Sequence, residues 1–319
     1  MLWWTLQQLK SKDPKSRLKG LEKLASSEDP AAVDPLLQAL NDSHAEVRRA
    51  AAKWLGKFKD DRAVQPLVKA LHDRDASVRE AAAEALDAIG DKRAMDALVA
   101  ALRDDDASVR WQAAHALESL QWSPSNDAEN ALQLVALGKL DKAVILGSVA
   151  IDPLVSVLKS SVYYKRMQAV EALSRLGDSR VIKPLIEALR DPDNNVRARV
   201  VEALGSLGDA RAVQPLIGML KDLNPHVRAV AIEALSILGD ARAIEPIARL
   251  TRDSAWEVRM AAVEALGKFS DPRVISHLVK CLEDKDRDTR LAAVMALRKV
   301  GNDDVIEPLV ILLADEHDQ

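Results

Sequence analysis

The sequence predicts an all-α solenoid, a stack of about ten two-helix units that repeat every 31 residues. The dipeptide Val-Arg recurs at this spacing in two groups, at Val47-Arg48, Val78-Arg79 and Val109-Arg110, and at Val196-Arg197, Val227-Arg228 and Val258-Arg259. Aspartates keep the same spacing, at Asp29, Asp60, Asp91, Asp178, Asp209, Asp240 and Asp271. Independent columns with a common period indicate an internal repeat.

Each period contains two amphipathic patterns, which the unit from 209 to 239 shows well. Its apolar residues follow helical spacing twice, first at Val213, Leu216, Ile217 and Leu220, then at Val227, Val230, Ala231, Ala234, Leu235 and Leu238. Asp209 is suited to cap the first helix, with Pro215 in or near its first turn, and Gly239 is suited to end the second. We therefore expect two helices of about 10–14 residues in each unit and no strands.

A two-helix hairpin of this kind cannot bury its apolar faces alone, so neighbouring units must stack. Alanine-rich second helices, for example at Ala50-Ala51-Ala52 and Ala81-Ala82-Ala83, allow close approach between units. The repeating arginines each follow an aspartate, as Asp191 precedes Arg197 and Asp222 precedes Arg228. We interpret them as structural residues that form charge-assisted hydrogen bonds between the turns of stacked units.

Composition limits the kind of protein this chain is. Its 319 residues are 48% hydrophobic and 3% aromatic, and the formal net charge is −4. The near balance of charge removes the broad attraction that drives non-specific nucleic-acid binding. Cys281 is the single cysteine and no apolar run reaches the length of a membrane span, so we expect a cytoplasmic protein without disulfides.

The 31-residue period breaks once, which predicts three segments of one continuous solenoid. Arg110 and Arg166 are 56 residues apart, or 31 plus 25. We therefore predict repeats with an N-terminal cap at 1–121, an irregular shortened repeat at 122–146, and repeats ending in an unpaired helix at 147–319. In the irregular segment we expect a capping box at Asn126 and Glu129, then helices at 128–137 and 141–146. This segment either adjusts the stack or shapes a pocket.

The two ends also depart from the repeat. We expect Trp3, Trp4 and Trp54 to fill the N-terminal core. A first-type helix is predicted at 303–314 without a following partner, and its Ile311 stands where other units carry Glu187 and Arg249. An apolar residue at a solvent position suggests either that the chain is part of a longer protein or that this end docks on a partner, end-to-end self-association through this helix being one such option.

The unit's residues resemble a known family. Asp-Ala-Arg-Ala-Val-Gln-Pro-Leu-Ile at 209–217, the segment Asn-Pro-His-Val-Arg-Ala-Val-Ala-Ile-Glu-Ala-Leu at 224–235, and Leu-Gly-Asp at 238–240 resemble HEAT-type repeats. They are most similar to the phycobilisome-lyase (E/F-type) HEAT-like repeats. The resemblance implies a right-handed α-α solenoid (superhelix), in a family that includes chromophore lyase subunits, a di-iron hydroxylase and many scaffolds.

Motifs for catalysis are not found in the sequence. No histidine is followed by glutamate, whereas the resemblance leads us to expect His-Glu dipeptides in a di-iron hydroxylase. Cys281 lies in an apolar stripe between Leu278 and Leu282, where a buried, inert thiol is expected. We therefore expect no metal, no cofactor and no catalytic residue, and lean towards a protein that is not an enzyme.

The resemblance implies that second helices line a concave groove. Positions just before Val-Arg, just after it and five residues after the arginine are then expected to face a ligand. The binding residues predicted in this way are Trp111, His115, Tyr163, Tyr164, Met167, Glu171, Asn195, His226, Trp256 and Met260. Gln112, beside Trp111, is also expected to line the groove. Glutamates at the last of these positions form an acidic column at Glu22, Glu84, Glu171, Glu202, Glu233 and Glu264.

Exposed aromatic residues and methionines are enriched in the cores of protein interfaces. We therefore expect a non-catalytic scaffold whose groove binds a protein or peptide of basic or amphipathic character, without nucleic acid or membrane. Two alternatives stay open. One is a bilin lyase or isomerase, or a lyase subunit, with a tetrapyrrole pocket at the irregular repeat. The other is a nucleic-acid-binding protein of HEAT-like type, which the charge balance disfavours.

Overall fold

The computed structural model describes residues 7–27 and 29–300 of the chain. Within these ranges the chain forms helices and turns and contains no strand, which confirms the all-α prediction. The predictions for Trp3, Trp4, Ile311 and the helix at 303–314 lie outside the described residues. The chain divides into two compact units, Met1–Pro153 and Leu154–Gln319.

Outside the irregular segment, the α-helices alternate between a short first type and a longer second type, each pair forming a hairpin. In the first unit they are α1 (Pro14–Ala25), α2 (Val33–Ala39), α3 (Ala45–Phe58), α4 (Val64–Ala70), α5 (Ala76–Ile89), α6 (Met95–Ala101), α7 (Ala107–Ser119), α8 (Asp127–Ala136) and α9 (Leu140–Ile145). Helix α10 (Ile151–Val157) follows, and the second unit continues with α11 (Tyr163–Leu176), α12 (Ile182–Ala188), α13 (Asn194–Leu207), α14 (Val213–Met219), α15 (Pro225–Leu238), α16 (Ile244–Arg249), α17 (Trp256–Leu266), α18 (Arg273–Lys280) and α19 (Arg287–Val300).

The α-helical part of most first-type helices is shorter than expected, because each of these helices begins with a turn of 3-10 helix. Each of these turns is three residues long and leads directly into the α-helix, at Pro30–Ala32, Asp61–Ala63, Lys92–Ala94, Ser179–Val181, Ala210–Ala212 and Ala241–Ala243. The repeating aspartate caps the turn, as Asp209 does by accepting a hydrogen bond from the Arg211 amide at 2.9 Å. Hydrogen bonds from the Arg211 side chain lower the pKa of Asp209 to about 2.

The second-type helices end as the sequence predicts. Gly239 follows α15 with φ of 64°, a left-handed conformation that glycine adopts without steric cost. Pro215 lies in the first turn of α14, and Val227, Ala231 and Leu235 of α15 are fully buried. The predicted core face of the repeat is therefore confirmed.

Consecutive second-type helices pack against one another at very short range in each unit. Gly205 on α13 faces Ala234 on α15 so closely that a Cβ atom added at Gly205 would lie 2.7 Å from the Ala234 Cβ. Gly56 and Ala85 repeat this arrangement between α3 and α5. Small residues at these positions allow the second-type helices of each unit to pack side by side.

The repeating arginines link neighbouring hairpins, as predicted, but with a different pairing from the one that sequence adjacency suggests. Arg197 donates through Nη1 to the backbone oxygen of Asp191 in its own hairpin, at 2.9 Å. The Asp191 carboxylate instead accepts from Arg166, which lies 25 residues earlier, at 2.6 and 2.7 Å. The aspartate therefore joins two arginines, one through its backbone and one through its side chain.

The same two-oxygen contact recurs along the chain. Nε and Nη2 of the arginine donate to the two carboxylate oxygens at 2.6–2.9 Å in the pairs Arg17–Asp42, Arg48–Asp73, Arg79–Asp104, Arg166–Asp191, Arg197–Asp222 and Arg228–Asp253. Arg259 contacts Asp284 through Nε alone, at 3.0 and 3.3 Å. We call each arginine–aspartate pair a rung.

Burial and hydrogen bonding act in opposite directions on a rung. Burial by itself raises the pKa of Asp73. Hydrogen bonds from Arg48 and from the Asp75 amide together lower this pKa by more than burial raises it, so it lies below its usual value. Charged groups at this depth require their partners, because an unpaired buried charge is costly. The rungs thus stabilise the contact between successive hairpins.

The irregular segment contains the two short helices that were predicted, now seen as α8 and α9. Asn126 accepts a hydrogen bond from the Glu129 amide at 2.9 Å, as expected for the first half of a capping box. The Glu129 carboxylate accepts from the amide of Ser125, at 2.9 Å, rather than from that of Asn126. The proposed segment boundaries at 121 and 146 stay a prediction.

Within the described ranges, no helix combines the length and the apolar character that crossing a membrane requires.

We predict that Arg228→Ala lowers the free energy of unfolding by about 1.5–3 kcal/mol, because the largely buried Asp253 carboxylate loses its charged partner. Partner binding should be unchanged. Urea denaturation of the full chain measures the effect. Arg242→Ala is the matched control, since Arg242 pairs with Asp240 two residues away and its side chain is 54% exposed. Equal losses in the two variants, or lost binding with unchanged stability, would contradict a structural role.

A second prediction concerns the close approach of the second-type helices. Gly205→Ala should destabilise the chain by about 1–3 kcal/mol, because the added methyl group overlaps Ala234. Gly218→Ala on α14 places its methyl group in open space and should stabilise by about 0.5–1 kcal/mol through helix propensity. Thermal and urea unfolding of both variants measure the difference, and a stabilised Gly205→Ala variant would contradict the packing described.

Candidate functional site

One stripe of each second-type helix faces solvent, and the predicted binding residues lie on it. Relative to the repeating arginine, the stripe comprises the positions three and two before, one after and five after. On α11 these are Tyr163, Tyr164, Met167 and Glu171, of which Met167 is half-buried and the others are exposed. The opposite side of the helix packs into the core through Ala169, Val170 and Leu173. The stripe is thus available to a ligand without disturbing the fold.

In the first unit, α7 carries a stacked pair of rings on its stripe. The Trp111 ring is parallel to within 25° of the His115 ring, with centroids 5.4 Å apart. His115 Nδ1 lies 3.0 Å from a carboxylate oxygen of Asp87 on α5. Because a carboxylate only accepts hydrogen bonds, Nδ1 is the donor. Asp87 thereby holds the imidazole against the indole, of which 48% is exposed.

Two details of this part of the prediction change. Gln112, which we also expected to line the groove, is 9% exposed and belongs to the core. Asp87 was missed, although a signal exists. It precedes His115 by 28 residues, or one repeat less three, which places the two on facing turns of adjacent second-type helices.

In the second unit, the two tyrosines begin α11. Tyr163 and Tyr164 are 49% and 51% exposed, and their rings meet edge to face at 84° with centroids 6.2 Å apart. Such aromatic pairs prefer this geometry, which keeps both rings in a defined position. They present apolar surface and two phenolic hydroxyl groups to solvent.

The other predicted residues of the second unit lie on the following second-type helices. Asn195 on α13 and His226 on α15 are exposed, Trp256 at the start of α17 is 46% exposed, and Met260 is half-buried. Trp256 and Tyr163 are each the first residue of their helix, three residues before the repeating arginine. They therefore occupy equivalent positions in the repeat, on helices that have two other second-type helices, α13 and α15, between them.

Every glutamate of the predicted acidic column is solvent-exposed in the structure. Those in the second unit are Glu171, Glu202, Glu233 and Glu264, one on each of the helices α11, α13, α15 and α17. Glu202 forms an ion pair with Arg199 on the same helix, at 3.2 Å. The stripe of the second unit therefore combines aromatic residues with a row of carboxylates.

A depression that the sequence did not predict lies near the end of the second unit. It has a volume of ≈ 640 Å³ and opens between α16, α17 and α18, lined by Arg249, Asp253, Arg259, His277, Cys281 and Asp284. A smaller depression of ≈ 420 Å³ lies beside Trp256, Arg259 and Lys285. These hollows depend on spacing between helices, which residue patterns do not specify.

Cys281 contributes little reactivity to that depression. The residue is 5% exposed, and its thiol donates to the backbone oxygen of His277 at 3.2 Å. Burial raises the pKa of the Cys281 thiol, which keeps it protonated near neutral pH. In the part of the chain that the structure describes, no three histidine, cysteine, aspartate or glutamate side chains are grouped to hold a metal ion.

Comparison with solved structures gives matches of low identity. Human deoxyhypusine hydroxylase in complex with glycerol is 24% identical over 94% of this chain and 95% of that chain, with a TM-score of 0.35. The complex of CpcE and CpcF of phycocyanin lyase from Nostoc sp. PCC7120 is 23% identical over 46% of this chain and 97% of that chain, with a TM-score of 0.40. An engineered protein is 21% identical over 94% and 98%, with a TM-score of 0.39.

At these identities the likeness concerns the fold alone. A search of curated protein sequences gives no match. The family model for HEAT repeats, in contrast, matches residues 4–87, 64–144, 151–236, 182–253 and 246–319. These matches extend over nearly the whole chain and agree with the hairpin repeat seen in both units, and so the chain belongs to the family of HEAT-repeat proteins.

Proposed function

We propose that this protein is a non-catalytic scaffold that binds a protein or peptide along the exposed stripe of its second-type helices. The observation that carries the proposal is the exposure of large aromatic side chains in a chain that is 3% aromatic. Trp111, Tyr163, Tyr164 and Trp256 are between 46% and 51% exposed. Side chains of this type supply most of the energy in the few dominant contacts of protein interfaces.

The packing of the helices supports this choice of surface. Second-type helices of successive hairpins lie close together through their glycine and alanine contacts. First-type helices of successive hairpins make few contacts with one another. A row of helices with the shorter spacing is expected on the inner side of any curvature. A ligand in such a groove would contact several hairpins of one unit at once.

The second unit also suggests the dimensions and charge of a ligand. Tyr163 and Trp256 are three helix spacings apart, or about 24–30 Å at usual packing distances. That span corresponds to about seven to nine residues of extended chain. The exposed glutamates between them favour a ligand with basic side chains, and the aromatic residues favour apolar ones. A basic, amphipathic peptide meets both requirements.

We predict that replacing Tyr163 and Tyr164 together with alanine weakens partner binding by more than about 1 kcal/mol, roughly five-fold in Kd, because the aromatic anchors are lost. Affinity capture with the wild-type chain identifies the partner, and titration of both proteins with it measures the ratio. Lys183→Ala with Glu187→Ala is the control, since both residues are exposed on the first-type helix α12.

Glu233→Lys tests the charge of the surface. It should weaken binding of the same partner and reduce the salt dependence of that binding. The proposal is wrong if the double tyrosine variant binds as tightly as the wild type while the control variant loses affinity.

A further inference from the structure

We propose that Arg110 in the first unit is a binding site for a carboxylate group. Among the repeating arginines of that unit, it is the one that has no aspartate partner within the described residues. The proposal goes beyond the scaffold function, because it concerns a different side chain and a ligand of opposite charge from the one expected at the acidic column. Its ligand is the side chain of an aspartate or glutamate, or the free C-terminus, of a partner peptide.

The guanidinium of Arg110 is held as in a complete rung. Its Nη1 donates to the backbone oxygens of Asp104 and Asp105 at 2.7 and 2.9 Å. Arg197 has the same two contacts, to the oxygens of Asp191 and Pro192 at 2.9 and 3.2 Å. The side chain is therefore oriented in advance, since these backbone bonds fix the plane of the guanidinium.

The other edge of this guanidinium has no acceptor among the described residues. In the rungs of Arg79 and Arg197, Nε and Nη2 donate to the two oxygens of an aspartate 25 residues later. The residue 25 positions after Arg110 is Val135, which is 7% exposed in α8. Nε and Nη2 of Arg110 are not fully buried, so each keeps some exposure to solvent.

The irregular segment explains the loss. The rung aspartate lies three residues after the end of its first-type helix, as Asp104 follows Ala101 of α6. Three residues after the end of α8 stands Lys139 instead, and its ammonium group pairs with the Glu118 carboxylate on α7. The shortened repeat has thus exchanged the anion for a cation at the turn that would close the rung.

The surroundings favour a carboxylate over a phosphate. An arginine edge with two parallel donors matches the two oxygens of a carboxylate, as the complete rungs of this chain show. Asp105 and Asp106 precede Arg110 closely in the chain and add negative charge near it. A phosphate group carries nearly two charges at neutral pH and would be repelled more strongly than a singly charged carboxylate.

The aromatic pair on α7 adjoins this position in the chain. Trp111 follows Arg110 directly, and its ring is kept in place by His115 and Asp87. An acidic residue next to an apolar one in a partner could therefore contact α7 twice. The arginine supplies specificity for charge, and the tryptophan supplies apolar area.

The experiment is a titration of the full chain with sodium acetate, observed through the side-chain Nε–H resonances of its arginines in nitrogen-15 NMR spectra. The Arg110 resonance should shift and saturate at millimolar acetate, while that of Arg79, whose edge is occupied by Asp104, should not move. Acetamide and sodium chloride are the controls for shape and for ionic strength. Loss of the resonance in Arg110→Gln assigns it.

Two variants make the result decisive. Lys139→Asp restores the aspartate at the turn and should abolish the acetate response while raising the melting temperature. Arg110→Gln should leave binding through Tyr163 and Tyr164 intact, so that failure of this site and failure of the scaffold proposal are separate results. A peptide with one internal aspartate and an amidated C-terminus, compared with an uncharged peptide with a free C-terminus, distinguishes the two sources.

The proposal is overturned if the Arg110 resonance does not respond to acetate, or if it shifts no more than the resonance of Arg79. An unchanged acetate response in a folded Lys139→Asp variant would show that the turn position does not govern the site. If that variant does not fold, the comparison of Arg110 with Arg79 in the wild-type chain still decides the matter.

Discussion

A hairpin of two short amphipathic helices has more apolar surface than it can bury by itself, and the rest of this structure depends on that constraint. Each hairpin must cover its neighbour's exposed core, so the second-type helices approach until only glycine or alanine fits between them. The arginine–aspartate rungs then fix how far one hairpin is displaced from the next. Packing supplies most of the stabilisation, and the rungs supply the register.

The same constraint leaves one stripe of each second-type helix that neither packs in the core nor forms a rung. Positions facing the core keep valine, alanine and leucine, and the rung positions keep arginine and aspartate. Residues on the stripe vary from one hairpin to the next, for example from Tyr164 to Asn195 and His226. A surface built from variable side chains on a fixed frame can be adapted to a partner without changing the fold, which is consistent with a binding role.

The sequence predicted most of the fold because the repeat states its rules several times. The period, the core face of each helix, the glycine ends and the two helices of the irregular segment follow from patterns of residue type. It did not predict that Asp191 would use its carboxylate for Arg166 and its backbone for Arg197, because adjacency in the chain suggested a single pair.

The candidate site was predicted less completely. Exposure of Trp111, Tyr163 and Trp256 follows from helical spacing, and the burial of Gln112 shows the error of one position that such spacing allows. The contact between Asp87 and His115 depends on the rotation of one helix against its neighbour. The open edge of Arg110 depends on where a shortened repeat places its turn. Neither quantity is encoded in the pattern of a single unit.

Hydrogen exchange of backbone amides in the full chain, read by mass spectrometry, tests the account most directly. If stacking through the second-type helices holds each unit together, amides of α13 and α15 should exchange much more slowly than those of α12 and α14, because they are packed by neighbours on both sides. Equal protection of the two helix types, or slower exchange in α12 and α14, would contradict it.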